Sequence, residues 1–183
     1  MSFIDIRSLS HRFADGTLGL DRIDISIEAG EFVVVAGANG SGKTTLLKHL
    51  NGLLLPTAGE VFVDGRSVSA DPIRARLKLG MVFQDADSQI VGQTVAEDAA
   101  FGPENLGLDR PQIQRRVQTA LEAVGLRHAE DQAPHLLSGG EKRRLAIAGV
   151  LAMEPEAILF DEPFSNLDYA GVRQVLSQMV ALH

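Results

Sequence analysis

The spacing of apolar residues changes several times along the chain, and each change marks an element. From Phe3 to Leu9, apolar Phe3, Ile6 and Leu9 stand among Asp5, Arg7 and Ser8; after a turn at Asp15-Gly16, Leu18, Leu20, Ile23, Ile25 and Ile27 repeat the alternation. A period near two predicts half-exposed antiparallel strands. Glu60-Val61-Phe62-Val63, turning at Asp64-Gly65, adds a hairpin with a type I′ signal. Three runs are continuously apolar: Phe32 to Ala36, Leu79 to Phe83 (followed by Gln84), and Ala157 to Phe160. Such runs predict strands buried on both faces.

Helical spacing fills the intervals. Leu46, Leu47 and Leu50 precede an Asn51-Gly52 stop, and Asp71-Pro72 opens a short helix. Thr94 to Glu97 is a capping box for a helix expected to stop near Gly102-Pro103. Asp109 to Gln112 caps another, with apolar positions 113, 117, 120, 121 and 124 before Gly125. A further helix follows Ser138-Gly139-Gly140, and a last amphipathic one runs through Val172, Val175, Leu176, Met179 and Val180. Strands and helices in this order predict an α/β chain in which a small antiparallel β-layer packs on a buried-strand core.

The first buried run leads into Gly37-Ala38-Asn39-Gly40-Ser41-Gly42-Lys43-Thr44-Thr45, which fits G-x-x-x-x-G-K-[ST] between a strand and a helix. Glycines allow backbone N–H groups to curl around an anion, and the helix N-terminus adds partial positive charge. At ordinary glycine usage the pattern arises by chance in about one chain of this length in two hundred. The loop therefore implies nucleoside triphosphate binding, with Lys43 on the outer phosphates and the Thr44 hydroxyl on Mg²⁺.

Composition narrows the setting. The 183 residues are 45% hydrophobic, enough for one compact α/β domain. A net charge of −7 disfavours nucleic acid as a partner. There is no cysteine, hence no disulfide framework. Acid and base interrupt the N-terminus, unlike a signal peptide, and no apolar run approaches the roughly eighteen residues of a membrane span.

Other candidate residues are ambiguous singly. Phe13, at the first strand turn, is either a stacking platform for a base or core. Gln84 ends a buried strand, where open α/β sheets place ligands, and so contacts Mg²⁺ and the attacking water or faces solvent. Ser138 is a helix cap or, with Gly139 and Gly140, a second phosphate site. Lys142, Arg143 and Arg144 read as a solvated face. Asp161-Glu162 follows the last buried run; consecutive strand residues point in opposite directions, so Asp161 can serve Mg²⁺ while Glu162 faces a water.

Together these residues resemble the ATPase subunit of ATP-binding-cassette (ABC) transporters. Gly37 to Thr44 is similar to the Walker A loop, Gln84 to the Q-loop, Leu137 to Glu141 to the signature, Ile158 to Glu162 to Walker B, and Ser165 to Asp168 to the D-loop. The stretch from Phe83 through Thr94-Val95-Ala96-Glu97-Asp98 to Leu108 further resembles the energy-coupling-factor and cobalt/nickel-type importers, although Ala38 and Ala86 stand where that family often has Pro. The resemblance implies a P-loop NTPase (RecA-like) core with an antiparallel β-subdomain and an inserted helical subdomain: one domain over residues 1–183, with 86–144 the helical part and 1–85 and 145–183 the rest.

It also implies roles. Phe13 and residues 37–45 bind ATP; Ser138, Gly139 and Gly140 do so in trans in a second ATPase subunit, identical or not. Thr44, Gln84 and Asp161 organise Mg²⁺, Gln84 and Glu162 are catalytic, and Asp168 couples the dimer. Membrane transport subunits dock near residues 84–105, which places the chain peripherally on the cytoplasmic face of the membrane. Non-transport relatives that act on DNA separate Walker A from the signature by long heptad arms; here fewer than 100 residues lie between Thr44 and Ser138. In the family a switch histidine ends a further strand, whereas only 21 positions, read as helix, separate Glu162 from His183. The chain thus reads as C-terminally truncated, with weak or no hydrolysis expected alone and ATP binding retained.

Overall fold

The computed structural model describes residues 2–165 and 169–182, and the chain divides into two compact units, Met1–Leu79 and Gly80–His183. The first holds β1 (Ile4–Arg12), β2 (Leu18–Ile27), α1 (Lys43–Leu50), β3 (Ala58–Val63), β4 (Arg66–Ser67) and α2 (Pro72–Lys78). Its sheet has the order β2-β1-β3-β4, antiparallel throughout. On β1 the buried positions are Ile4 and Ile6, then Leu9 and His11, an odd step in the middle. Ser8 absorbs it: at φ 48 it forms an irregularity in the ladder that returns the later pair to the inner face. Asp64 (φ 49) and Gly65 (φ 69) both take the left-handed conformation that a type I′ hairpin requires, as their sequence predicts. Leu46 and Leu50 from α1 and Val61 and Val63 from β3 are buried in this unit.

Phe32 to Ala36 departs from expectation. These residues belong to no strand, and Val34 is 76% exposed. An apolar run specifies that a strand wants covering, but a ladder needs a neighbouring backbone, and none of the described strands takes that place.

The second unit holds β5 (Leu79–Val82, its first residue closing the first unit), α3 (Val95–Asn105), α4 (Arg110–Ala123), α5 (Gly139–Leu151), β6 (Ala157–Phe160) and α6 (Tyr169–Leu182). β5 and β6 form a two-stranded sheet; β5 is buried throughout, whereas on β6 only Leu159 is fully buried. Val95 and Ala99 of α3, Val117 and Leu121 of α4, and Leu145, Ile147 and Ala148 of α5 make one core. The caps fall where the sequence places them: Thr94 accepts from the Glu97 N–H, and Asp109 with Gln112 forms a full capping box. One stop does not. α3 continues through Pro103 to Asn105 and ends at Gly107 (φ 70). Pro103 lies in the last turn, where its missing N–H removes a single helical bond, and its ring is buried.

Candidate nucleotide-binding and hydrolysis site

In the first unit the loop of residues 37–42 delivers α1 with its N-terminus bare. Gly42, the N-cap, sits at φ 94 and offers no side-chain hydrogen bond to the helix. Gly40 is also left-handed (φ 78), and the Ser41 N–H donates to the Ala38 carbonyl at 3.1 Å, closing the turn. The Lys43 ammonium folds back over the loop, 3.1 Å from both the Gly37 and Ala38 carbonyl oxygens. An ammonium that rests on neutral carbonyls at the rim of a glycine-rich turn can exchange them for an anion, because charge-assisted contacts are the stronger. The donor set therefore fits a triphosphate.

The same unit carries Phe13, 40% exposed, with its ring against Gly19 and in an edge-to-face pair with His11. His11 in turn meets His49 of α1: the His49 Nε2 lies 3.2 Å from His11 Nδ1, and the fully buried His49 ring reaches the Thr45 carbonyl through Nδ1 at 2.7 Å. Sequence reading missed this histidine pair, although its positions on the inner stripes of β1 and α1 were available as a signal. Burial, more than any other influence, lowers the His49 pKa, and His11 adds to it against the opposing Thr45 and Leu55 backbone carbonyls. The unfolded ring, with an ordinary pKa near 6.5, then binds protons that the folded ring refuses. Stability from this group is complete above that pH and is lost as pH falls through the lowered folded value. Thermal midpoints are expected to drop on acidification from about pH 7.5 to 5.5, and His49→Gln to flatten that part of the profile; identical profiles for both chains would contradict it.

In the second unit, three sequence-separated segments converge on the ends of β5 and β6. The Asp161 N–H donates to the Val82 carbonyl at 3.0 Å, and Asp161 is buried. The chain then turns sharply: Glu162 has φ 46. Strand alternation does not set the two carboxylates apart, because β6 has already ended at Phe160 and the pair lies in this turn. The Gln84 Nε2 donates to Glu162 Oε2 at 3.0 Å. Gln89 secures the approach, accepting from the Phe83 N–H at 3.0 Å and donating to the Met81 carbonyl at 3.1 Å.

The basic run after the signature is not a solvated face. Arg143 is 6% exposed and donates to the Gln84 carbonyl at 2.8 Å and the Glu162 carbonyl at 3.4 Å. The Ser165 N–H and Oγ donate to that same Glu162 oxygen at 3.1 and 2.9 Å. Lys142 pairs with Asp87 at 2.6 Å, so the start of α5 grips the segment following Gln84. The spacing of Arg143 from Ile147 and Val150, four and seven positions on, put it on the buried stripe; three adjacent basic residues masked that signal.

Ser138 caps α5 in a reciprocal box. Its Oγ donates to Glu141 Oε2 at 2.6 Å and accepts from the Glu141 N–H at 3.3 Å. These Ser138 bonds hold the Glu141 carboxyl below its usual range. A Cβ built on Gly139 or Gly140 would meet nothing within 4 Å. Local packing therefore does not demand these glycines, and the tip is open to approach. Asp168 lies outside the described residues.

A phosphate loop before α1 and paired acids after a core strand define a P-loop nucleotide-binding protein. The chain belongs to the ABC transporter family, whose sequence profile matches residues 20–165. It is similar to the energy-coupling factor transporter ATP-binding protein EcfA of Methanothermobacter thermautotrophicus, with 52% identity over 90% of this chain and 54% of that protein. Similarity to the cobalt import ATP-binding protein CbiO of Syntrophus aciditrophicus is 49% over 98% of this chain and 65% of that one. Among solved structures, cbiO1 of Clostridium perfringens, part of the ABC transporter complex cbiONQ, superposes with a TM-score of 0.90 at 36% identity, covering 99% of this chain and 73% of that one. The chain thus spans little more than half the length of some curated relatives it matches.

Proposed function

We propose that this chain is the ATP-binding and hydrolysing subunit of a membrane importer of the energy-coupling-factor or cobalt/nickel type. The observation that carries the reading is the Gln84–Glu162–Arg143 cluster, in which a candidate base, a candidate ligand of Mg²⁺ and the attacking water, and the signature helix are joined by hydrogen bonds. Residues 37–45 bind the triphosphate, Lys43 neutralises its outer charge and Phe13 stacks on the base. Thr44, Gln84 and Asp161 supply the hard oxygen donors that Mg²⁺ prefers, and the ion, when bound, neutralises phosphate charge. Glu162 orients and polarises the attacking water. Ser138, Gly139 and Gly140 receive the nucleotide of a second ATPase subunit, and Asp168 couples the two. On this reading residues 86–144 are the helical subdomain of a single ATPase domain, and the chain works peripherally at the cytoplasmic face of the membrane.

Membrane subunits are proposed to dock near residues 84–105. A groove of about 430 Å³ lined by Asp87, Ile90, Gly92, Gln93, Pro134 and His135, among others, supports that placement. Val91 and Leu136, each next to a lining residue, expose apolar side chains. Among the described residues no helix is long and apolar enough to cross a membrane. The names of the relatives favour this reading over a module that binds ATP without hydrolysing it.

The test is ATP-dependent association. MgATP is expected to convert the chain to a dimer, measured by light scattering, and Gly139→Arg, at a position where a Cβ meets nothing within 4 Å, is expected to abolish the dimer without changing the melting temperature. Unaltered association by that variant would remove the in trans role of the signature.

A further inference from the structure

Base recognition in this chain involves more than the stacking ring. We propose that His11 is a positioning residue for the nucleobase: held by His49 on α1, its imidazole fixes the Phe13 ring in the orientation that stacks. The inference rests on the reading of Phe13 as the stacking platform.

The Phe13 backbone is pinned first. Its N–H donates to the Thr17 carbonyl and its carbonyl accepts from the Gly16 N–H, both at 2.9 Å. Two contacts then set the ring. A Cβ on Gly19 would lie 2.6 Å from Phe13 Cε2, so the ring occupies space that any other residue at 19 would fill. On another side stands His11, with ring centroids 4.7 Å apart and planes at 82°, an edge-to-face pair. His11 is itself 4.7 Å from His49 in a second edge-to-face pair, joined by the 3.2 Å nitrogen contact. His49 ends the series on the Thr45 carbonyl, within the first turn of the helix that opens at the phosphate loop.

The return path is equally short. The Gly19 carbonyl oxygen stands 2.6 Å from where a Cβ on Gly42 would be, so the strand residue that seats Phe13 also abuts the loop. Phe13, His11, His49, α1, Gly42 and Gly19 form a closed circuit of contacts joining the base end to the phosphate end. Apolar side chains would fill this interior at lower desolvation cost than two imidazoles. What imidazoles add is direction, because a hydrogen bond fixes a ring's orientation and an apolar contact does not. The orientation fixed here is that of the ring holding Phe13.

The experiment separates the two properties of His11, ring edge and polar partner. His11→Gln retains a polar group for His49 and removes the edge; His11→Phe retains an edge and removes the polar group. Affinities for MgATP and for magnesium tripolyphosphate, which has no base, are measured by calorimetry beside thermal melts. His11→Gln is expected to weaken MgATP about three- to ten-fold, the range of a lost aromatic pair, with tripolyphosphate unchanged. His11→Phe, which keeps a ring but loses the hydrogen bond from His49 that orients it, is expected to weaken MgATP by less than His11→Gln but measurably, with tripolyphosphate unchanged, and to melt lower, because His49 is left without its nitrogen partner. The proposal is overturned if His11→Gln weakens both ligands equally, or leaves MgATP unaffected while Phe13→Ala removes the preference for it over tripolyphosphate. If Phe13→Ala also leaves that preference intact, the stacking reading itself fails and takes the proposal with it.

Discussion

Glu162→Gln is expected to reduce whatever ATP turnover the parent chain shows by about 10²- to 10⁴-fold, the usual contribution of a positioned general base, while nucleotide affinity stays within a few-fold. The amide has the shape of the carboxylate, so the hydrogen bonds that hold the Glu162 backbone, from Arg143 and Ser165, are preserved. What changes is the side-chain oxygen that now accepts from Gln84 Nε2 at 3.0 Å. A neutral amide accepts more weakly than a carboxylate and cannot take a proton from water at neutral pH. ATP-loaded dimers should therefore accumulate. Phosphate release and size-exclusion profiles at saturating MgATP measure both effects. Undiminished turnover would remove Glu162 from the catalytic role.

Gly42→Ala is expected to abolish measurable nucleotide binding and to lower stability as well. The residue sits at φ 94, a conformation that side-chain-bearing residues occupy at a cost of about 1–3 kcal/mol. A Cβ there would stand 2.6 Å from the Gly19 carbonyl oxygen and 3.0 Å from Leu20 Cδ2, so strain and overlap act together. The loop must move to relieve them, which shifts the first N–H groups of α1 and the Lys43 ammonium out of register with the phosphates. Gly40→Ala is the control: it is also left-handed (φ 78), but nothing lies within 4 Å of the new methyl. It carries the backbone cost without the overlap, so its melting temperature should fall less than that of Gly42→Ala. Equal losses in the two variants would show that close approach to β2 is irrelevant.

Much of this was legible from spacing alone, because the legible parts are local. The Asp64-Gly65 hairpin, the caps at Thr94, Asp109 and Ser138, and the phosphate loop all depend on residues within a few positions of one another. What spacing did not disclose depends on partners far along the chain. Arg143 looked solvated because its acceptors belong to residues 84 and 162. Phe32 to Ala36 looked like a buried strand because side-chain pattern describes faces, whereas a ladder is made by a neighbouring edge. Pro103 looked like a helix stop because the rule weighs the missing N–H and not the burial of the ring. Asp161 and Glu162 were read as alternating strand residues, whereas β6 ends at Phe160 and Glu162 takes a left-handed turn, which depends on backbone and not on side-chain pattern.

Val33, Val34 and Val35 are exposed in succession, carry no charge and strongly favour extended pairing. Such a segment is a template for sheet growth between molecules, so concentrated solutions of this chain are expected to cluster through it. Clusters of that kind form whether or not nucleotide is present, whereas the sandwich requires it; a Lys at position 34 should restore solubility and leave the ATP-dependent species intact.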